Sequence, residues 1–113
     1  MKQKEIWLIN LDPTIGAEIR KTRPCIILND DSIGALPLKV VSPVTDYKEK
    51  YVNVPWMVRL VPDEYNKLKK PSVIDVFQMR CVSNERLIKR IGTITEQNLK
   101  EVIQAVKVIF GMS

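Results

Sequence analysis

The sequence predicts a mainly β domain with one helix at its C-terminal end. Three observations predict it: short apolar runs rich in β-branched residues, turn-forming residues between them, and one apolar stripe at helical spacing near the end. Five or six short strands with long connections make a small, strongly curved sheet or barrel. The chain of 113 residues is expected to be a single domain, 1–113, that buries roughly two-thirds of its unfolded surface.

Residues 5–11 carry Ile6, Trp7, Leu8 and Ile9 with partial alternation and read as the first strand. Residues 23–28 are apolar on both parities after Pro24, so the second strand is expected to be buried on both faces. Residues 29–34 are a turn by composition. The third strand covers 38–45, and Pro43 predicts that it ends near an edge or at a bulge.

A charged turn, 46–50, precedes a fourth strand at 51–60, bent at Pro55. Pro62 suits the first position of a short helix within 62–70, where Lys67, Lys69 and Lys70 read as solubilising charges. Those three lysines could instead extend an RNA groove, though the solubilising role is favoured. A fifth strand, 72–82, leads through a polar turn at 83–86 into a sixth, 88–94. Thr93 or Thr95 can cap the final helix, and Thr93-x-x-Glu96 has capping-box spacing. Leu99, Val102, Ile103, Val106, Ile109 and Phe110 form its core stripe, and Gly111 ends it.

Between the first two strands lies residues 12–24, bounded by Pro13 and Pro24, longer than a hairpin requires. It carries the carboxylate Glu18 and the cations Arg20, Lys21 and Arg23. By composition it is either a solvated loop or a functional one.

A net charge of +5 favours an anionic partner, with nucleic acid ahead of a membrane surface or an acidic protein. There is no histidine, which excludes Ser-His-Asp and Cys-His nucleophile systems and His-zinc sites. Two cysteines, Cys25 and Cys81, fall within apolar runs and are expected to be buried small hydrophobes; they are too few for an all-cysteine zinc site. No cofactor or metal is expected. Without a signal-like start or a bilayer-length apolar run, the expected location is cytoplasmic, with no membrane association.

If the strand ends at Arg23 and Thr45 meet, a guanidinium, a hydroxyl and the Glu18 carboxylate come within reach of one point. That set suits phosphodiester chemistry on RNA, where the substrate brings its own nucleophile, the 2′-hydroxyl. Glu18 would accept its proton, Arg23 would hold the phosphoryl oxygens, and Thr45 would donate to a non-bridging oxygen. Each has a plainer reading: Glu18 paired with Arg20 or Lys21, Thr45 as a β-branched strand end, Arg23 as a surface cation.

Ile6-Trp7-Leu8-Ile9-Asn10-Leu11-Asp12-Pro13-Thr14-Ile15-Gly16-Ala17-Glu18, then Thr22-Arg23-Pro24, then Pro43-Val44-Thr45, resemble the MazF/PemK family of toxin endoribonucleases. Gln78-x-Arg80 and the terminal helix follow in the expected order, so the resemblance covers nearly the whole chain. It implies an SH3-like barrel of the CcdB/PemK type and a homodimer. It further implies metal-independent cleavage of single-stranded RNA, leaving 2′,3′-cyclic phosphate and 5′-hydroxyl ends, and inhibition by an antitoxin with an acidic tail.

By matching position the family's catalytic residues fall on Arg23 and Thr45, and the loop carboxylate on Glu18. Gln78 and Arg80 match RNA-groove positions, and Arg20, Lys21 and Lys48 are the further cations expected to hold RNA. Phe77 stands where members often carry an acid, Ile19 where Gln is common and Lys21 where Gly is common. Phe77 is then either a core residue or, if exposed, a stacking surface. A gyrase-binding toxin of the same fold and a non-catalytic RNA-binding barrel are the alternatives.

Overall fold

The computed structural model describes residues 1–112. Its strands are β1 (Glu5–Asn10), β2 (Thr22–Ile27), β3 (Leu38–Asp46), β4 (Met57–Leu60), β5 (Ser72–Asp75), β6 (Arg80–Ser83) and β7 (Leu87–Thr93), followed by helix α1 (Glu96–Ile109). Hydrogen-bonded neighbours run β4-β5-β3-β2-β1-β7, and β6 pairs with β3 off that path. All pairs are antiparallel. The path ends at β4 and β7, so the expected barrel is present as a curled sheet that does not close.

Curvature follows from the core. Ile6, Ile26, Val44, Val58, Leu60 and Ile74, from five strands, share one cluster with Leu99, Val102 and Ala105 of α1. Five strands at about 4.8 Å spacing would spread about 20 Å if flat, twice the width of a helix, so the sheet must wrap around it. A smaller cluster of Ile9, Leu11, Cys25, Ile27, Val41 and Val82 fills the opposite face. Consecutive residues of β2 feed both clusters, which is why that strand is apolar on both parities. Bulges between Ile6 and Trp7 and between Leu8 and Ile9, against β7, account for the partial alternation of β1.

Several expectations are corrected. The third strand runs through Pro43 to Asp46, one residue beyond the expected span. On one edge β3 pairs with β6 as far as Val41 and with β5 from Val44 onward, so Pro43 falls in the gap where no N–H is needed. The fourth strand is only Met57–Leu60, because residues 49–57 form successive tight turns, including Val54 N–H to Tyr51 C=O at 3.0 Å. The fifth is split into β5 and β6 by a 3₁₀ turn, Val76–Gln78.

No helix forms within 62–70. Asp63 Oδ1 accepts from the N–H groups of Tyr65 and Asn66 at 2.8 and 2.7 Å, and the buried Asn66 side chain binds Asp63, Leu68 and Val61 backbone groups. These side-chain bonds take the donors and acceptors that a helix would use.

Thr95, not Thr93, caps α1, and the reciprocal partner is Asn98 rather than Glu96. The buried face includes Ala105 and turns away from Ile103 and Phe110, which are exposed. Cys81 is exposed, whereas Cys25 is buried as expected. Among the described residues no helix is long and apolar enough to cross a membrane.

Candidate functional site

The β2–β3 register pairs Cys25 with Pro43; carried two residues along each strand, it sets Arg23 opposite Thr45. Side chains two apart on a strand share a face, so both belong to the side that carries Cys25 and Pro43. They line one cavity of about 190 Å³ together with Asp46, Leu68, Lys69 and Lys70. Arg23 and Thr45 are half-buried, and Arg23 Nε donates to the Arg20 carbonyl at 3.0 Å, which holds the guanidinium near the strand end.

Glu18 is elsewhere. It lines an adjoining cavity of about 440 Å³ with Leu11, Ala17, Ile19, Pro43, Phe77, Gln78, Met79 and Arg80. Its carboxylate accepts the N–H of Ile15 at 2.6 Å, inside its own loop. The structure therefore brings Arg23 and Thr45 together, and groups Glu18 with Gln78 and Arg80 in a second cavity. Pro43, two residues before Thr45, joins the two along β3.

The loop between β1 and β2 is held by side chains from β6 and its flanking turns. Gln78 donates to Ala17 C=O and accepts from Ile19 N–H, both at 3.1 Å, so its amide is engaged by loop backbone. Arg80 donates to Leu11 C=O at 3.0 Å, and Arg86 to the carbonyls of Asn10 and Asp12. Asp12 Oδ1 accepts from Lys21 N–H at 3.1 Å, and Lys21 has a positive φ of 73°. Arg20, Lys21 and Lys48 are all exposed cations, Lys48 just before the 3₁₀ turn Glu49–Tyr51.

Burial pushes the Cys25 thiol up to about 12, against the pull of the Arg80 and Arg23 charges. Phe77 is 60% exposed at the rim of the larger cavity, its ring centroid 5.5 Å from that of Trp56. Of its two expected readings, exposure favours the stacking surface. Behind it, burial raises the Asp75 carboxyl, partly offset by the N–H groups of Gln78 and Phe77, and its Oδ1 has no partner among the described residues.

Two cations of this region, Arg59 and Arg86, escaped the sequence reading, and two others, Lys69 and Lys70, take the reading that it did not favour. Arg59 pairs with Val73, which pairs with Thr45, and its guanidinium lies 4.1 Å over the Tyr47 ring. Arg86 holds the loop, and Lys69 and Lys70 line the Arg23–Thr45 cavity rather than solubilising a helix. Only tertiary contacts reveal Arg59 and Arg86, since neither carries a spacing signal in the sequence.

Comparison with known proteins identifies the family. A family model described as PemK-like, MazF-like toxin of type II toxin-antitoxin system matches residues 2–110. A protein named Endoribonuclease MazF from Staphylococcus saprophyticus is 28% identical over 113 residues, 99% of this chain and 92% of that one. A crystal structure of MazF from Deinococcus radiodurans superposes with a TM-score of 0.81 at 22% identity, covering 99% of this chain and 97% of that one. A MazE–MazF crystal structure from the same organism gives 0.73 at 19% identity, with 100% and 97% coverage. With nearly its full length matched by the family model, the chain belongs to the PemK-like, MazF-like toxins of type II toxin–antitoxin systems.

Proposed function

We propose that this toxin is an endoribonuclease that cuts single-stranded RNA at Arg23 and Thr45. The observation that carries the proposal is their placement opposite one another in a single cavity rimmed by cations. In the reaction the 2′-oxygen of the substrate attacks phosphorus, the O2′–P bond forms and the P–O5′ bond breaks. The 2′-hydroxyl proton passes to a base, and the departing 5′-oxygen takes a proton from solvent. The products are a 2′,3′-cyclic phosphate and a 5′-hydroxyl.

Arg23 supports the negative charge that grows on the non-bridging oxygens, and Thr45 donates a hydrogen bond to one of them. Because the nucleophile comes with the RNA, this route needs no metal. Glu18 is the base, brought to the 2′-hydroxyl when RNA displaces the loop contact to Ile15 N–H. The adjoining cavity takes a flanking base, with Phe77 as stacking surface and Arg80 as cation. Arg20, Lys21 and Lys48 hold the backbone on either side, and Gln78 reads a base edge once released from the loop.

Leu36, Leu38, Val40 and Ile103 are large apolar side chains left exposed on one side of β3 and α1, which supports burial against a second copy in a homodimer. The basic groove suits an antitoxin with an acidic tail that competes with RNA, and the working location is the cytoplasm. A gyrase-binding toxin has less support, since the curated relative is named an endoribonuclease.

The test is incubation with a long single-stranded RNA in EDTA, followed by mapping of cut sites and end groups. Discrete cuts with cyclic-phosphate and 5′-hydroxyl ends are expected. Intact RNA in the presence of a folded protein would refute the proposal.

A further inference from the structure

The 62–71 segment is an anchored arm beside the Arg23–Thr45 cavity. On one side β7 lies against it: Thr93 N–H donates to Tyr65 C=O at 2.9 Å. A Cβ at Gly92 would clash with the Tyr65 carbonyl and stand 2.8 Å from that of Asn66, so only glycine permits this approach. Asn66 is buried at the centre, and Leu68 packs against the main core. On the other side Tyr47 N–H donates to Pro71 C=O at 3.0 Å, Ser72 Oγ to Lys70 C=O at 2.9 Å, and Lys70 pairs with Asp46 at 3.4 Å.

Lys69 sits between two held residues and lines the cavity with Arg23 and Thr45. Among the described residues, neither Lys69 nor Arg23 has an ion-pair partner. Two cations held at one small cavity repel, and an anion between them offsets that repulsion by an attraction that grows with its charge. A phosphodiester carries one negative charge, whereas the five-coordinate phosphorus formed by 2′-oxygen attack carries two. A second cation is therefore worth more in the transition state than in the ground state.

Resting on the assignment of Arg23 and Thr45 to the cut phosphate, we propose that Lys69 is a further catalytic residue. Its ammonium binds the non-bridging oxygens of the scissile phosphate together with Arg23, and it neither gains nor loses a proton. Lys70, neutralised by Asp46, keeps the arm in place.

The experiment measures single-turnover cleavage of a short RNA carrying one mapped cut site, with enzyme in saturating excess. Lys69→Gln is expected to cut at least about tenfold more slowly, with RNA affinity within about threefold and an unchanged Tm. Lys69→Arg should keep most of the rate. Lys67→Gln is the control, because Lys67 lines a different cavity with Glu64, Tyr65 and Arg90; it should cut like the wild type. A Lys69→Gln enzyme as fast as the wild type, beside an inactive Arg23→Ala, would overturn the role of Lys69 alone. Equal losses in Lys67→Gln and Lys69→Gln would also overturn it, leaving only diffuse charge. A wild type that leaves RNA intact would overturn the assignment of the cavity, and Lys69 with it.

Discussion

Around Arg23 and Thr45 the walls are two paired strands and an arm fixed from both sides; around Gln78 they are a loop held by side-chain hydrogen bonds. The first region inherits its geometry from the β2–β3 register and from Asn66, Leu68 and Gly92, all set by the core. The second depends on Gln78, Arg80 and Arg86, each bonded to backbone of the loop between β1 and β2. Groups that must stabilise a transition state gain from a rigid mount, since misplacement by even 1 Å is costly. A surface that must admit different bases gains from walls that can shift. On the proposed function, the strands would hold the groups that stabilise the phosphate, Arg23 and Thr45, whereas the loop would bring the base Glu18 and the selective contacts.

The strongest way to break this comparison is Arg23→Ala. It should lower the cleavage rate about 10³-fold with little change in Tm, as measured by single-turnover assay and thermal melting. A large fall in Tm would mean that Arg23 is structural instead. Gln78→Ala probes the other region. Two neutral hydrogen bonds are worth about 1 kcal/mol each, so kcat/KM should drop by up to roughly thirtyfold. The discriminating readout is the distribution of cut sites along a long RNA, which should broaden for Gln78→Ala and stay unchanged for Lys69→Arg.

Much of the fold could be read from residue pattern alone. The strands β1, β2, β3 and β7 and helix α1 have apolar runs long enough to declare their period. The failures share a cause: side chains or prolines that redirect backbone hydrogen bonds locally. Asp63 and Asn66 replaced a helix with turns, and Pro55 and its neighbours shortened β4. The rotation of the buried helix face toward Ala105 depends on where the sheet curls, which no local signal carries.

At the site, residue types pointed to Arg23 and Thr45, whose pairing needed only the register of adjacent strands. Glu18 was expected with them, yet its loop folds it into the neighbouring cavity. Arg59 and Arg86 were invisible, and Lys69 was read as a solubilising charge, because their relevance comes from strands and turns distant in sequence.

The smallest expected effect concerns Asp75, buried behind Gln78 and Phe77. Its carboxyl is raised by burial, so the folded state holds the proton more tightly than the unfolded chain. The stability this brings is fully present below the ordinary value of 3.8 and is lost as pH rises through the folded-state value. Asp75→Asn should therefore melt about 2 °C higher than the wild type at neutral pH, with the gap closing on acidification. Parallel melting curves at every pH would show that Asp75 stays equally ionised in both states.

The most direct test of the central claim replaces one atom of the substrate. A short RNA carrying a mapped cut site is compared with the same strand bearing 2′-deoxyribose immediately 5′ to the scissile phosphate, both in EDTA. If the cavity only holds and stabilises a phosphate attacked from within the RNA, the unmodified strand is cut and the deoxy strand survives intact. Cleavage of the deoxy strand at the same bond would contradict the account, because the nucleophile would then have to come from the protein or from water.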